Sequence, residues 1–218
     1  MTPYLTVPFK FSDQSWTWLQ NFFGPIVSDY QQNAPAVSAL VKFKDQEYAE
    51  FVASAAWTEL DQFLRLYGID DGYPQLFIYK QLDKSRPSIL GNPHIDTTGG
   101  DGTEFTVPIR FNVLISGDED TEMVWWNIDR NNDVVVNEKF LNPLGQHMGR
   151  LQVKGSNPAE RWSNLGAPVY TNSSLTKRQE YASFVRTDVL HALNWTGNNP
   201  RLILSVRTLK PWNHLPAS

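Results

Sequence analysis

Glycine, proline and asparagine recur at short intervals through the last two-thirds of the chain, and this pattern constrains the fold most strongly. After Pro74, short apolar or alternating runs are separated by clusters of these residues. Such clusters end strands, because glycine and asparagine adopt turn conformations and proline cannot donate a hydrogen bond to a sheet. The pattern predicts strands at residues 76–82, 105–116, 122–128, 133–140, 168–172, 182–186 and 201–208. Seven or eight short strands of this kind are typical of a double-sheet jelly roll.

The N-terminal part of the chain has a different pattern, in which helices dominate. Residues 4–11 alternate as a strand does, and Ser12 or Asp13 is placed to cap a helix that Pro25 is predicted to interrupt. Apolar residues recur at helical spacing across residues 45–66, which predicts one helix ended by Gly68. These helices are expected to support one face of a mainly β body.

Composition excludes several classes of protein. The net charge of -4 and the absence of a basic cluster argue against nucleic-acid binding. The sequence contains no cysteine, which excludes disulfides, thiolate metal sites and cysteine nucleophiles. No basic flank precedes a long apolar run, so neither a signal peptide nor a membrane span is expected. We therefore expect a soluble, cytoplasmic protein.

The segment Asn-Pro-His-Ile-Asp-Thr-Thr at residues 92–98 contains two candidate metal ligands. In an extended chain, side chains two positions apart point to the same face, so His94 and Asp96 can approach one ion. His191 lies 97 positions further on and supplies a third candidate ligand. Two histidines and one carboxylate with open coordination positions form the ligand set of non-haem Fe(II) oxygenases.

A strand with one basic and one apolar face follows His191. Its alternate positions include Arg201, Ser205 and Arg207, whereas Leu202 and its alternates form the apolar face. A guanidinium binds a carboxylate through two parallel hydrogen bonds, and a serine on the same face can add another. The spacing therefore predicts a binding site for a carboxylate near Arg201.

Together, His94-x-Asp96, His191 and Arg201 followed by Ser205 resemble the motif of the 2-oxoglutarate and Fe(II)-dependent oxygenases, in particular prolyl hydroxylase-like members. The resemblance spans roughly the C-terminal two-thirds of the chain. It implies that the first three residues bind Fe(II), with no catalytic residue beyond these ligands. It also implies that Arg201 and Ser205 bind the cosubstrate 2-oxoglutarate, and that O2 is consumed.

The resemblance also implies a reaction and a fold. The reaction would release succinate and CO2, and hydroxylation is favoured over halogenation because halogenating relatives lack the carboxylate that Asp96 provides. The implied fold is a double-stranded β-helix, a cupin-like jelly roll. We expect a single domain over residues 1–218, with an N-terminal strand and supporting helices at 1–70 and the β-helix core at 74–210. A variable insert at about 130–181 is where we expect a substrate lid.

Further contacts to cosubstrate or substrate are predicted on strands near the motif. Arg110 and Asn112 share the non-core face of one strand, although exposed rim residues would give the same alternation. Tyr79 precedes His94 on a predicted strand, and a buried tyrosine with a bonded hydroxyl is the alternative. Trp125 and Trp126 are adjacent and face opposite sides, so one of them, Trp126, is a candidate wall of a substrate pocket.

Two other functions remain open from the sequence alone. A cupin-like site with zinc or manganese would perform hydrolysis or isomerisation without oxygen. A non-catalytic β-sandwich would instead bind a partner or serve a structural role, with Trp125 or Trp126 at the interface. The substrate is expected to be a small molecule or a peptide, with no nucleic acid or membrane partner.

Overall fold

The computed structural model of the chain describes residues 2–33, 38–41, 43–79, 89–90, 93–98, 105–117, 121–127, 135–141, 147–172, 176–195 and 201–215. The helices in these ranges are α1 (Asp13–Asn33), α2 (Asp45–Val52), α3 (Ala55–Leu66) and α4 (Pro158–Leu165). The first seven strands are β1 (Tyr4–Pro8), β2 (Ser38–Val41), β3 (Tyr73–Tyr79), β4 (Ile89–Leu90), β5 (Thr97–Thr98), β6 (Phe105–Thr106) and β7 (Ile109–Ser116). The others are β8 (Thr121–Trp125), β9 (Val135–Leu141), β10 (His147–Val153), β11 (Tyr170–Asn172), β12 (Tyr181–Arg186), β13 (His191–Trp195) and β14 (Arg201–Thr208).

Most of the described strands belong to two antiparallel sheets. The larger sheet has the order β1-β12-β7-β14-β3-β2, and the smaller has the order β11-β8-β13-β4. The hairpins β9–β10 and β5–β6 form two further pairs. The prediction of a mainly β chain with a few flanking helices is therefore confirmed. In the described part of the chain, no helix combines the length and apolarity needed to cross a membrane.

The larger sheet has one apolar and one polar face, and the difference follows from the alternation along β7 and β14. The apolar face buries Phe111 on β7 and Leu204 on β14 in the main core, together with residues from the first three helices. The helical members are Leu19, Phe23, Phe51, Ala56, Leu60 and Leu64. Burying each large apolar side chain contributes roughly 1.5–3 kcal/mol, so this face holds the helices in place. The opposite face carries Arg110, Asn112 and Ser205.

The prediction that Pro25 interrupts the first helix is wrong, because α1 continues through it. Proline lacks the N–H that would bond to the carbonyl of Asn21, one turn earlier. Both residues are exposed, so water can reach the carbonyl that lacks its helical donor. Phe23 and Ile26, on either side of the proline, pack against the main core and hold the helix to the sheet.

The single helix predicted for residues 45–66 is two helices, α2 and α3, because Ser54 caps the second. Its hydroxyl oxygen accepts from the backbone N–H of Trp57 at 3.1 Å and its hydroxyl donates to the carbonyl of Phe51 at 2.6 Å. Serine competes with the backbone in this way and therefore favours helix starts. Gly68 follows the end of α3 with φ of 72°, a conformation that favours glycine, as predicted.

The strand predicted for residues 105–116 is also divided, into β6 and β7, because Pro108 lies between them. Its carbonyl accepts from the backbone N–H of Thr187 at 3.0 Å, and the N–H of Val107 donates to the carbonyl of Asp96 at 3.0 Å. The break in the strand therefore joins the segment that contains His94 and Asp96 to the rest of the sheet.

The predicted insert contains the β9–β10 hairpin and α4. Strand β9 corresponds to the strand predicted at residues 133–140, whereas β10 and β13 are not predicted from the sequence pattern. Strand β10 lies beside β5, which begins directly after Asp96. The insert is thus adjacent to the segment with the candidate metal ligands.

Candidate metal centre

A cavity lies on the polar face of the larger sheet, between it and the smaller sheet. The cavity is open to solvent, and the space between its walls, including the open mouth, is about 630 Å³. Its polar lining includes His94, Asp96, Arg110, Asn112, His191 and Arg201, and the apolar part includes Phe77, Met123 and Leu193. The residues predicted as metal ligands and the arginine predicted to bind a carboxylate therefore face one space.

Backbone hydrogen bonds hold the three candidate ligands together. The N–H of His94 donates to the carbonyl of His191 at 2.9 Å, and the N–H of His191 donates to the carbonyl of His94 at 3.0 Å. The N–H of Asp96 donates to the carbonyl of Thr187 at 2.9 Å. His191 begins β13, and its backbone pairs with both β8 and the segment around His94. This pairing places the two imidazole rings 4.5 Å apart.

The donor atoms of these residues fit one metal ion. They lie within 4.8 Å of one another, and the Nε2 atoms of His94 and His191 are 3.3 and 3.9 Å from Oδ1 of Asp96. Ligands about 2.1 Å from an ion and at right angles stand about 3 Å apart, so the most distant donor atoms would approach one another by up to about 2 Å on coordination. Nδ1 of His191 lies 2.9 Å from the carbonyl of Val189. A proton on Nδ1 leaves the lone pair of Nε2 directed into the cavity, as metal ligation requires.

Arg110 is an ion-pair partner of Asp96 and not a free wall of the pocket. Its Nε donates to Oδ2 of Asp96, and Nη1 donates to Oε1 of Gln75 at 2.7 Å. Burial alone would raise the pKa of the Asp96 carboxyl, but the Arg110 charge and both imidazoles hold this pKa well below its usual value. Asp96 is therefore ionised, the form that binds cations.

The burial of His191 determines how the metal-free protein responds to pH. Burial and the nearby charges of His94 and Arg110 outweigh the attraction of Asp96 and lower the pKa of His191 from 6.5 to about 4. We expect its imidazole resonances in the metal-free protein to titrate near pH 4. The unfolded chain takes up this proton below about pH 6.5, so the free energy of unfolding should rise with pH between these values. A midpoint near 6.5 in an NMR titration would contradict this prediction.

Arg201 opens β14 with only 5% of its surface exposed. Its Nη2 donates to the hydroxyl of Thr176 at 2.8 Å. Ser205 lies on the same face and is fully buried, directly opposite Asn112 on β7. The Oγ of Ser205 and the Oδ1 of Asn112 are buried without a hydrogen-bond partner among the described residues. Buried polar atoms of this kind are rare, and a hydrogen-bond donor in the cavity would satisfy Oδ1 of Asn112, which lines it.

The remaining predicted contacts have different outcomes. Asn112 lines the cavity, whereas Ser205 lies behind its surface. Tyr79 pairs with Arg201 through the β3 backbone, but its side chain is outside the described part of the structure. Thr176 and Gln75 contact the two arginines and were not predicted. The position of Gln75 could have been predicted from the sequence, because it directly precedes the predicted strand at 76–82 and lies two positions before Phe77, on the same face of the strand.

Trp126, the candidate wall of a substrate pocket, does not line this cavity. Its indole N–H donates to the carbonyl of Gly166 at 3.0 Å, and its ring packs edge-on against Trp162 of α4, away from the cavity. Trp125 is buried on the other side, stacked with Tyr4. Both indoles are at least 97% buried, so neither provides the partner contact considered above.

Comparisons with known proteins find similarity at the level of structure only. No known family model matches the sequence, and no curated protein matches it either. The structure of EctD from S. alaskensis with 2-oxoglutarate and 5-hydroxyectoine is 14% identical, with a match over 94% of this chain and 72% of that chain and a TM-score of 0.45. The structure of HygX from Streptomyces hygroscopicus with nickel and 2-oxoglutarate is 12% identical, covering 94% and 82% of the two chains with a TM-score of 0.47.

A prolyl-4-hydroxylase from Pseudomonas putida is 8% identical, covering 94% of this chain and 91% of that chain with a TM-score of 0.40. The solved structures that resemble this chain thus include two with 2-oxoglutarate bound and one prolyl-4-hydroxylase.

Proposed function

We propose that the protein is an Fe(II)- and 2-oxoglutarate-dependent dioxygenase that hydroxylates a small molecule or a peptide. One observation carries this proposal: the donor atoms of His94, Asp96 and His191 lie within 4.8 Å of one another in a cavity that Arg201 also lines. Two imidazoles and one carboxylate suit Fe(II), and three protein ligands leave three positions of an octahedral ion open.

The chain would use its residues to hold and orient the reactants. His94, Asp96 and His191 would bind Fe(II), and Arg201 would bind the distal carboxylate of 2-oxoglutarate, supported by Ser205 and Asn112. Fe(II), 2-oxoglutarate and O2 would supply oxidative decarboxylation to succinate and CO2, coupled to oxidation of a C–H bond. Because Asp96 provides a carboxylate ligand, we propose hydroxylation and not halogenation.

We further propose that the two sheets form a double-stranded β-helix. The cavity between two antiparallel sheets supports this architecture, in one domain over residues 1–218 with the β core at 74–210. The β9–β10 hairpin and α4 belong to the insert at about 130–181. We propose that this insert covers the substrate, because β10 lies beside β5 and therefore near Asp96.

Anaerobic spectroscopy tests the proposed cofactors directly. The protein is first freed of metal with a chelator, and Fe(II) and 2-oxoglutarate are then added without oxygen. We expect a weak metal-to-ligand charge-transfer band, because the keto oxygen of 2-oxoglutarate and one oxygen of the adjacent carboxylate would bind the ion. His94→Ala removes one ligand and should give no band, whereas His214→Ala, at an exposed position contacting Gly68, should retain it.

Absence of the band from wild-type protein that has bound Fe(II) would contradict the proposal. Admitting O2 should then produce succinate in the wild type. A metal-dependent activity that needs neither O2 nor 2-oxoglutarate would instead select the cupin-like hydrolase or isomerase.

A further inference from the structure

Three contacts fix the guanidinium of Arg110 beside the candidate metal ligands. Nε donates to Oδ2 of Asp96, Nη1 donates to Oε1 of Gln75 at 2.7 Å, and the group lies 5.0 Å from the ring centre of Phe77. The side chain is only 8% exposed. Gln75 and Phe77 both lie on β3, two strands from β7, so the strand order of the larger sheet determines where the guanidinium lies.

The two carboxylate oxygens of Asp96 have separate surroundings. Oδ1 faces both imidazoles, at 3.3 Å from Nε2 of His94 and 3.9 Å from Nε2 of His191. Oδ2 instead accepts the hydrogen bond from Arg110. We propose that Arg110 is a positioning residue that keeps Oδ2 away from the metal, so that Asp96 binds through Oδ1 alone. This inference rests on the proposed function of the site.

Ligation through one oxygen matters because the reaction uses every remaining position. If Asp96 bound through both oxygens, the protein would occupy four of six octahedral positions. Two oxygens of 2-oxoglutarate would then fill the ion and leave no position for O2. Moving Oδ2 to the metal in the wild type would leave a buried guanidinium without its carboxylate, which is strongly unfavourable.

Arg207 provides a matched control for the charge of Arg110. It lies directly opposite Arg110 in the β7–β14 pair, on the same face of the sheet. Its guanidinium stacks on Tyr73 at 4.7 Å and contacts no carboxylate among the described residues. Arg207→Met therefore removes a nearby positive charge without changing the hydrogen bonds of Asp96.

The test uses Ni²⁺ as a redox-inactive probe, with binding measured by calorimetry and ligation by crystallography. We expect Arg110→Met to bind Ni²⁺, with Oδ2 of Asp96 inside the coordination sphere. With 2-oxoglutarate added, the protein and 2-oxoglutarate should fill all six positions of Ni²⁺ in the variant, whereas the ion in the wild type should keep one position for water. Wild type and Arg207→Met should both keep Oδ2 on Arg110 and bind 2-oxoglutarate equally well.

Two results would overturn the inference alone: coordination of Asp96 through both oxygens in the wild type, or coordination through Oδ1 alone in Arg110→Met. If that variant fails to fold, Gln75→Leu removes only one of the two hydrogen bonds of the guanidinium. With the guanidinium held by one bond fewer, Oδ2 of Asp96 should lie closer to Ni²⁺ than in the wild type, and an unchanged distance from Oδ2 to Ni²⁺ would again overturn the inference. Wild-type protein that binds neither Ni²⁺ nor Fe(II) would instead overturn the proposed function as well.

Discussion

Replacing His191 with alanine is expected to lower the affinity for Fe(II) on the order of 100- to 1,000-fold. Four-ligand zinc sites have binding free energies of about 10–16 kcal/mol, which corresponds to roughly 2.5–4 kcal/mol for each ligand. Succinate formation should fall below detection, because two remaining ligands do not hold the ion at working concentrations. The backbone bonds between His94 and His191 do not involve the imidazole, so the sheet should keep its pairing. Calorimetric titration with Fe(II) under nitrogen measures the affinity, and circular dichroism checks the fold.

The matched control is His214→Ala, which removes an exposed imidazole that contacts the carbonyl of Gly68. It should bind Fe(II) as the wild type does. Equal Fe(II) affinity in His191→Ala and the wild type would show that the three side chains do not form the metal site. If the biological role also survived His191→Ala, a non-catalytic module would be the better description of the protein.

The two faces of the larger sheet could be predicted from the sequence because alternation along a strand is a local property. Arg110 and Asn112 alternate with Phe111, and Arg201 and Ser205 alternate with their apolar neighbours. In each strand the apolar set lies in the main core and the polar set lies on the opposite face, at or near the cavity. The prediction needed no knowledge of which strands pair.

The approach of the three candidate metal ligands to one another could not be predicted from the alternation of polar and apolar residues. Spacing alone predicts that His94 and Asp96 share a face, but His191 is 97 positions away. Its approach requires the β13 backbone to pair with the segment around His94, and only the resemblance to a family predicted this. The ion pair of Asp96 with Arg110 was missed because it joins a loop to a strand 14 positions on, and many acids and bases are similarly spaced.

Predictions from local sequence failed where contacts with distant parts of the chain had the larger effect. Pro25 breaks a helical hydrogen bond, yet packing of Phe23 and Ile26 against the core holds α1 together. Because Trp125 and Trp126 are consecutive in sequence, their side chains are predicted to face opposite sides of the strand. The sequence does not indicate which of the two sides faces a cavity. Here each indole enters its own apolar cluster, and that choice depends on α4 and on the N-terminal strand.

Arg201→Met should weaken 2-oxoglutarate binding by roughly 2–5 kcal/mol, at least about 30-fold, because a buried charged hydrogen-bond donor to the carboxylate is lost. Fe(II) affinity should be unchanged, because Arg201 makes its described hydrogen bond to Thr176 and not to a candidate metal ligand. The methionine fills similar volume in the cavity, so the sheet should remain intact. Titration of 2-oxoglutarate into anaerobic Fe(II)-loaded protein, followed by the charge-transfer band, gives both the affinity and the mode of binding.

Arg207→Met is the control at the other end of the same strand face, where the guanidinium stacks on Tyr73. The two variants lose the same charge from β14, so a general electrostatic effect would weaken binding in both. A carboxylate bound specifically at Arg201 predicts a loss in Arg201→Met alone. Equal affinities in the two variants would place the distal carboxylate elsewhere and leave Arg201 as a structural residue bonded to Thr176.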